Sequence, residues 1–178
     1  GPKKGNLVAR YRGTGAKKPI MLLGHLDVVE ARRGDWARDP FKLVEENGYF
    51  YARGASDDKA MVAIFIANLI RYRQEGHRPD RDLILVATCD EEIIPSNFSG
   101  IVYLLKNHRK LIDAEFALNE GGNGLLDKNG NYLRMTVQAG EKVFQTYHLE
   151  VTNPGGHSSR PVKDNAIYHL AGGLARLA

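Results

Sequence analysis

A chain of 178 residues has room for one domain, or one and a fraction. At 43% hydrophobic and 26% charged it has the composition of an ordinary soluble globular protein, which excludes a disordered chain, and one cysteine, Cys89, excludes an internal disulfide and a Cys-rich zinc module. The net charge of +4 comes from scattered basic residues, among them the doublets Lys3-Lys4, Lys17-Lys18 and Arg32-Arg33, with no interleaved aromatics, so nucleic acid is not an expected partner. No apolar run approaches membrane-spanning length and the start carries no signal-peptide pattern, so a soluble protein without a membrane partner is expected, its compartment left open. The chain opens in mid-flow at Gly1-Pro2 and stops at Ala178 inside a helical pattern, as a piece of something longer would.

Asn6 to Arg12 alternates apolar and polar residues and predicts a strand. Ile20 to Leu23 predicts a second, buried strand, which runs into Gly24-His25-Leu26-Asp27-Val28-Val29. Residues 30–41 predict a polar loop with Trp36 and an Asp39-Pro40 turn. Asn47-Gly48, between Lys42–Glu45 and Tyr49–Tyr51, predicts a hairpin. From Lys59 to Gln74 the residues Met61, Val62, Phe65, Ile66, Leu69 and Ile70 recur at helical spacing, and Gly76 ends that helix. Asp82 to Thr88 is a continuous apolar run that predicts a central strand. A helix over about Phe98 to Leu111 and a buried strand over Ala114–Leu118 follow. Strand, helix, strand, helix, strand implies an α/β fold with a mostly parallel sheet flanked by helices.

Past Glu120 the pattern changes. Leu125-Leu126, Tyr132–Val137 and Val143–Val151 read as strands, broken at Asn153-Pro154-Gly155-Gly156, and a helix is expected from near Asp164 to the end. A boundary near residue 142 divides the chain into 1–142 and 143–178, the second part being the start of an α+β unit.

The chemistry gathers at strand ends. His25 and Asp27, Asp57-Asp58 before the long helix, Asp90-Glu91-Glu92 after the central strand and Glu120 after the next all fall where open α/β sheets place their sites. Any one of them has an ordinary explanation: Asp57 as a helix N-cap, or Glu91-Glu92 as a solvated turn. Together, with little base among them, such carboxylates repel one another unless a cation is present. Imidazole with carboxylate suits zinc or a related divalent metal better than calcium or magnesium. An aspartate two residues from a histidine can also orient the ring as a ligand.

Five ordered motifs, Gly24-His25-Leu26-Asp27-Val28-Val29, Arg53-Gly54-Ala55-Ser56-Asp57-Asp58-Lys59, Asp90-Glu91-Glu92, Asn119-Glu120-Gly121-Gly122 and Gly155-Gly156-His157-Ser158-Ser159-Arg160-Pro161, resemble those of metallopeptidase family twenty. That family includes glutamate carboxypeptidases, aminoacylases, carnosine-type dipeptidases and a succinyl-diaminopimelate desuccinylase. The resemblance implies a zinc-peptidase catalytic domain over 1–142, incomplete, and the start of a lid and dimerisation domain over 143–178. It implies two zinc ions per intact subunit, with cobalt or manganese as alternatives. His25 and Glu120 would ligate one ion, Glu92 the other, and Asp57 would bridge both. Glu91 would be the general base, Asp27 would orient His25, and the peptide bond after Asp57 would be cis. His157 would stabilise the oxyanion in the partner's site of a homodimer. The substrate would be a peptide or an N-acyl amino acid, cleaved by a carboxypeptidase or dipeptidase, or alternatively by an aminoacylase or desuccinylase. The family's last ligating histidine has no counterpart here: His77, His108, His148 and His169 are poor candidates. The set His25, Asp57, Glu120 is complete and the other holds only Asp57 and Glu92, so these 178 residues alone are expected to be a weak enzyme, or a metal-binding or dimerisation fragment without turnover.

Overall fold

The computed structural model describes residues 3–178 except 94, 95, 97, 158 and 161, so Ser158 and Pro161 of the last motif lie outside the described residues. Contacts divide the chain into two units, Gly1–Val137 and Gln138–Ala178. No helix among the described residues is long and apolar enough to cross a membrane.

The first unit is built on a four-stranded mixed sheet of β1 (Leu7–Tyr11), β2 (Ile20–His25), β5 (Leu83–Thr88) and β6 (Phe116–Leu118), in the order β1-β5-β2-β6. Between β2 and β5 lie the hairpin β3 (Val44–Glu46) and β4 (Tyr49–Tyr51), turned at Asn47-Gly48, and helix α1 (Lys59–Gln74). β5 runs parallel to β2, β2 parallel to β6, and β1 antiparallel to β5 at the edge. The sheet is therefore mostly parallel, as the alternation of elements predicts, with one antiparallel edge.

All six residues of β5 are buried. On one face Ile84 and Val86 pack against Leu104 of α2 (Gly100–Asn107) and Ile112 of α3 (Arg109–Ile112). On the other, Val62 of α1 reaches β2 at Gly24. Each large aliphatic side chain buried in this way contributes about 1.5–3 kcal/mol. Asp82, just before β5, ties it to β1: its carboxylate accepts from the Gly13 amide at 2.9 Å, Arg12 Nη1 at 3.0 Å and Arg10 Nη1 at 3.1 Å. A second hairpin, β7 (Gly124–Leu126) and β8 (Tyr132–Met135), closes the unit.

Three expectations are corrected. The helix over Phe98–Leu111 is two, because His108 leaves helical geometry (φ −138°, ψ 29°) as its ring packs on Tyr103. The strand over Ala114–Leu118 is not buried: β6 is a three-residue edge strand whose Phe116 and Leu118 are about half exposed. The alternating run Val143–Val151 forms no strand, since among the described residues of its unit no second strand offers hydrogen bonds. In that unit α4 (Ala166–Leu177) does form, capped by Asn165, whose side chain accepts from the Tyr168 amide.

Candidate metal centre

Three parallel strands deliver the site to one sheet edge. His25 ends β2 in register with Thr88, the last residue of β5, so the loop with Glu91 and Glu92 departs beside it. β6 pairs Leu118 with Leu22, and Glu120 follows two residues on. Asp57 and Asp58 arrive on the turn that opens α1, and the peptide bond between them is cis.

His25 is 2% exposed, and its surroundings fix both ring nitrogens. Nδ1 lies 3.1 Å from the Asp27 main-chain carbonyl and 3.7 Å from the Asp27 carboxylate. Nε2 faces Asp57 Oδ1 at 3.0 Å, Glu120 Oε1 at 3.6 Å and Glu91 Oε2 at 3.9 Å. One donor atom each from His25, Asp57 and Glu120 lies within 4.8 Å of the others, and the same holds for His25, Glu91 and Glu92. Among the described residues no lysine or arginine pairs with Asp57, Glu91, Glu92 or Glu120.

The electrostatics follow from that crowding. Burial pushes the Glu91 carboxyl up, against the attraction of His25, and Glu92, Asp27 and Asp57 push it further. Burial likewise raises Glu120, helped by Asp58, Asp57 and Glu91. Burial works to lower His25, but the Asp27 carbonyl and the carboxylates of Glu120, Glu91 and Asp27 outweigh it and raise the pKa above 6.5. His25, Glu91 and Glu120 thus all hold a proton more readily than the free groups do. An imidazole nitrogen faced by carboxylate oxygens, with the other nitrogen held by a carbonyl, is a donor set that fits a divalent metal, whose binding would compete with those protons.

Sequence reasoning named Asp58 beside Asp57 but gave it no role of its own. It occupies the N-cap position of α1 yet makes no capping bond. Its buried carboxylate instead accepts the His25 amide at 3.1 Å. Gly24 permits this approach: a Cβ there would stand 2.6 Å from both Asp58 Oδ2 and Val62 Cγ2. Lys59 Nζ completes the tie by donating to the Leu26 carbonyl at 2.6 Å. The signal was the Asp57-Asp58 doublet, whose second member is the structural one. Asp27 has a second use as well, since its Oδ2 accepts the Glu92 amide at 3.1 Å while Oδ1 is buried with no hydrogen-bond partner among the described residues.

The other histidines have their own neighbours. His77 packs on Tyr72 and His108 on Tyr103. In the second unit His148 lies 3.7 Å from Glu150, and His169 bonds Asp164 at 2.5 Å. His157 Nδ1 accepts from the Ser159 amide at 3.2 Å, with Ser159 Oγ at 2.8 Å.

Known proteins resemble this chain in sequence and in fold. An N-fatty-acyl-amino acid synthase/hydrolase of Danio rerio is 36% identical over 166 residues, 90% of this chain and 32% of the relative. Mouse aminoacylase-1 is 32% identical over 166 residues, 92% of this chain and 39% of the relative. A metallo-carboxypeptidase of Sulfolobus solfataricus superposes with a TM-score of 0.55 at 31% identity, covering 70% of this chain and 27% of that one. Human carnosine dipeptidase 1 gives 0.55 at 26%, covering 65% and 24%. The chain spans about a third of the length of the curated relatives it matches. The profile of Peptidase family M20/M25/M40 matches residues 21–176, through both the sheet and its acidic edge, and the chain belongs to that family.

Proposed function

We propose that the protein hydrolyses peptide or N-acyl amide bonds at a zinc centre on this sheet edge. The observation that carries the reading is His25 Nε2 facing Asp57, Glu120 and Glu91 within 3.9 Å, with no lysine or arginine among the described residues paired to those carboxylates. His25, Asp57 and Glu120 would hold one ion; Asp57 and Glu92 would contribute to a second. Zinc bound there supplies Lewis acidity for the scissile carbonyl and for water at neutral pH. This chain's residues do the rest. The Asp27 carbonyl keeps His25 turned so that Nε2 faces the carboxylates. Glu91, left free of ligation, takes a proton from water and returns it to the leaving amine, and its burial-raised pKa suits that exchange. His157, by its place in the last motif, would serve the oxyanion in the partner subunit of a homodimer.

The Glu91→Gln variant of the intact protein tests the assignment. Turnover is expected to fall about 10²–10⁴-fold with zinc content unchanged. Unchanged turnover would sink the general-base role.

A second reading narrows the substrate to N-acyl amino acids. It is supported by the names of the relatives just described and by an apolar groove of about 550 Å³ whose lining includes Val28, Phe41, Leu43, Phe50 and Ala63, beginning three residues from His25. Comparing kcat/KM for a long-chain N-acyl amino acid and for a dipeptide decides between the two. A preference for the dipeptide overturns the narrower reading.

A further inference from the structure

Glu91 and Glu92 follow Cys89, which is held to Gly100 by a side chain from the other end of the unit. Asn6 Oδ1 accepts the Cys89 amide at 3.2 Å, and Asn6 Nδ2 donates to the Gly100 carbonyl at 3.4 Å. The Gly100 amide donates to the Cys89 carbonyl at 2.8 Å, so the two residues are also bonded directly. Only glycine fits there: a Cβ on residue 100 would lie 2.1 Å from Asn6 Oδ1 and 2.8 Å from Cys89 N. Next to Cys89, Asp90 is 6% exposed and its carboxylate accepts from Lys4 Nζ and from Ser96 Oγ at 3.0 Å. Lys4 Nζ also stands 5.0 Å from the centre of the Phe98 ring.

We propose that Asn6 and Lys4 are positioning residues that tie Cys89 and Asp90 to Gly100 and Phe98 and so set where Glu91 and Glu92 stand relative to His25. The inference rests on the metal-centre reading above. Neither residue reaches the reacting groups. Each bonds the residues immediately before Glu91 (Cys89 and Asp90), and each has a second hold further along the chain, at Gly100 or Phe98. The amino-terminal segment is thereby part of the site, although Asn6 lies 83 residues from the Cys89 it holds. Outer hydrogen-bond partners of this kind are worth about 10–100-fold in metal affinity or activity.

The test uses the intact protein with two readouts, amide hydrogen exchange at Cys89 and Glu92 and titration with cobalt(II) followed by its visible absorption. Asn6→Ala and Lys4→Ala are expected to speed Cys89 exchange and to weaken the cobalt binding that Glu92→Ala also weakens, about 10–100-fold, leaving binding that requires His25 and Glu120 unchanged. Lys4→Arg should restore the wild-type values. Val8→Ala, a change in the core-facing part of β1, serves as the control for simple loss of stability. If Asn6→Ala fails to fold, the Lys4 pair carries the test, its side chain being 37% exposed. Equal exchange and cobalt affinity in the Lys4→Ala variant and the wild type overturns the proposal, as does an effect of Val8→Ala matching that of Asn6→Ala. A wild-type protein that takes up no cobalt contradicts the metal-centre reading instead, and Cys89 exchange then still decides whether Asn6 and Lys4 hold Cys89 and Asp90.

Discussion

The two walls of the site are built differently. His25, Asp57 and Asp58 stand on regular structure: β2 is flanked by two strands, α1 packs on it, and Asp58 and Lys59 stitch the helix to the strand end. Glu91 and Glu92 stand on a loop held by a few side-chain ties, from Asn6, Lys4 and Asp27. The first wall is fixed by many small terms that no single change removes. The second depends on individual hydrogen bonds, each worth about 1 kcal/mol in net stability. Function fits the division, since a group that moves a proton needs placement that a ligand scaffold does not by itself provide.

Substitutions in the first wall should cost stability before they cost chemistry. Ile84→Ala, at the fully buried centre of β5, is expected to lose about 2–5 kcal/mol in urea unfolding, because the site's whole sheet rests on it. Val143→Ala, exposed in the second unit, should change stability by less than about 0.5 kcal/mol. Gly24→Ala forces a Cβ between Asp58 and Val62 and should lose about 1–3 kcal/mol, whereas Gly5→Ala, in open space, should be near neutral.

Asp27 belongs to both walls, and its variant sharpens the comparison. Asp27→Ala keeps the main-chain carbonyl that holds His25 but removes the carboxylate that accepts the Glu92 amide. Zinc competition titrations of the intact protein should therefore show the Glu92-dependent affinity falling about 10–100-fold and the His25-dependent affinity falling less. The reverse order would mean that the carboxylate, 3.7 Å from Nδ1, matters more to the ring than the carbonyl does.

The smallest expected effect concerns pH. The Gly13 amide, with Arg10 and Arg12, holds the Asp82 carboxyl below the usual range despite its burial. A depressed folded-state pKa contributes stability above the unfolded value of about 3.9, and that stability is lost as pH falls through the lower folded value. Asp82→Asn should thus cost about 1 kcal/mol at pH 7 and less as pH falls through the lowered folded value, by urea unfolding. A cost that stays constant across the acid range would show that shape, not charge, is what β1 needs from residue 82.

Much of this was legible in the sequence, for reasons that differ between regions. β5 was legible because five consecutive apolar residues, Leu83–Ala87, suit a strand covered on both faces. The acidic strand ends were legible because parallel strands share an edge. What pattern could not supply was partnership. Val143–Val151 alternates as a strand should, but alternation describes one face and says nothing of a neighbour to bond. β6 read as buried because its residues are apolar, while its edge position leaves Phe116 and Leu118 half exposed. The roles of Asp58 and Asn6 escaped notice because they consist of single hydrogen bonds to distant main chain, which leave no periodic trace.

If His25 Nε2 and its surrounding carboxylates form a metal centre, the most direct test is zinc content, by elemental analysis of the purified chain and of its His25→Ala variant after equilibration and desalting. About one zinc per chain is expected, retained at the complete imidazole–carboxylate set and lost in His25→Ala. No zinc in the wild type, or equal zinc in the variant, would contradict a metal centre there.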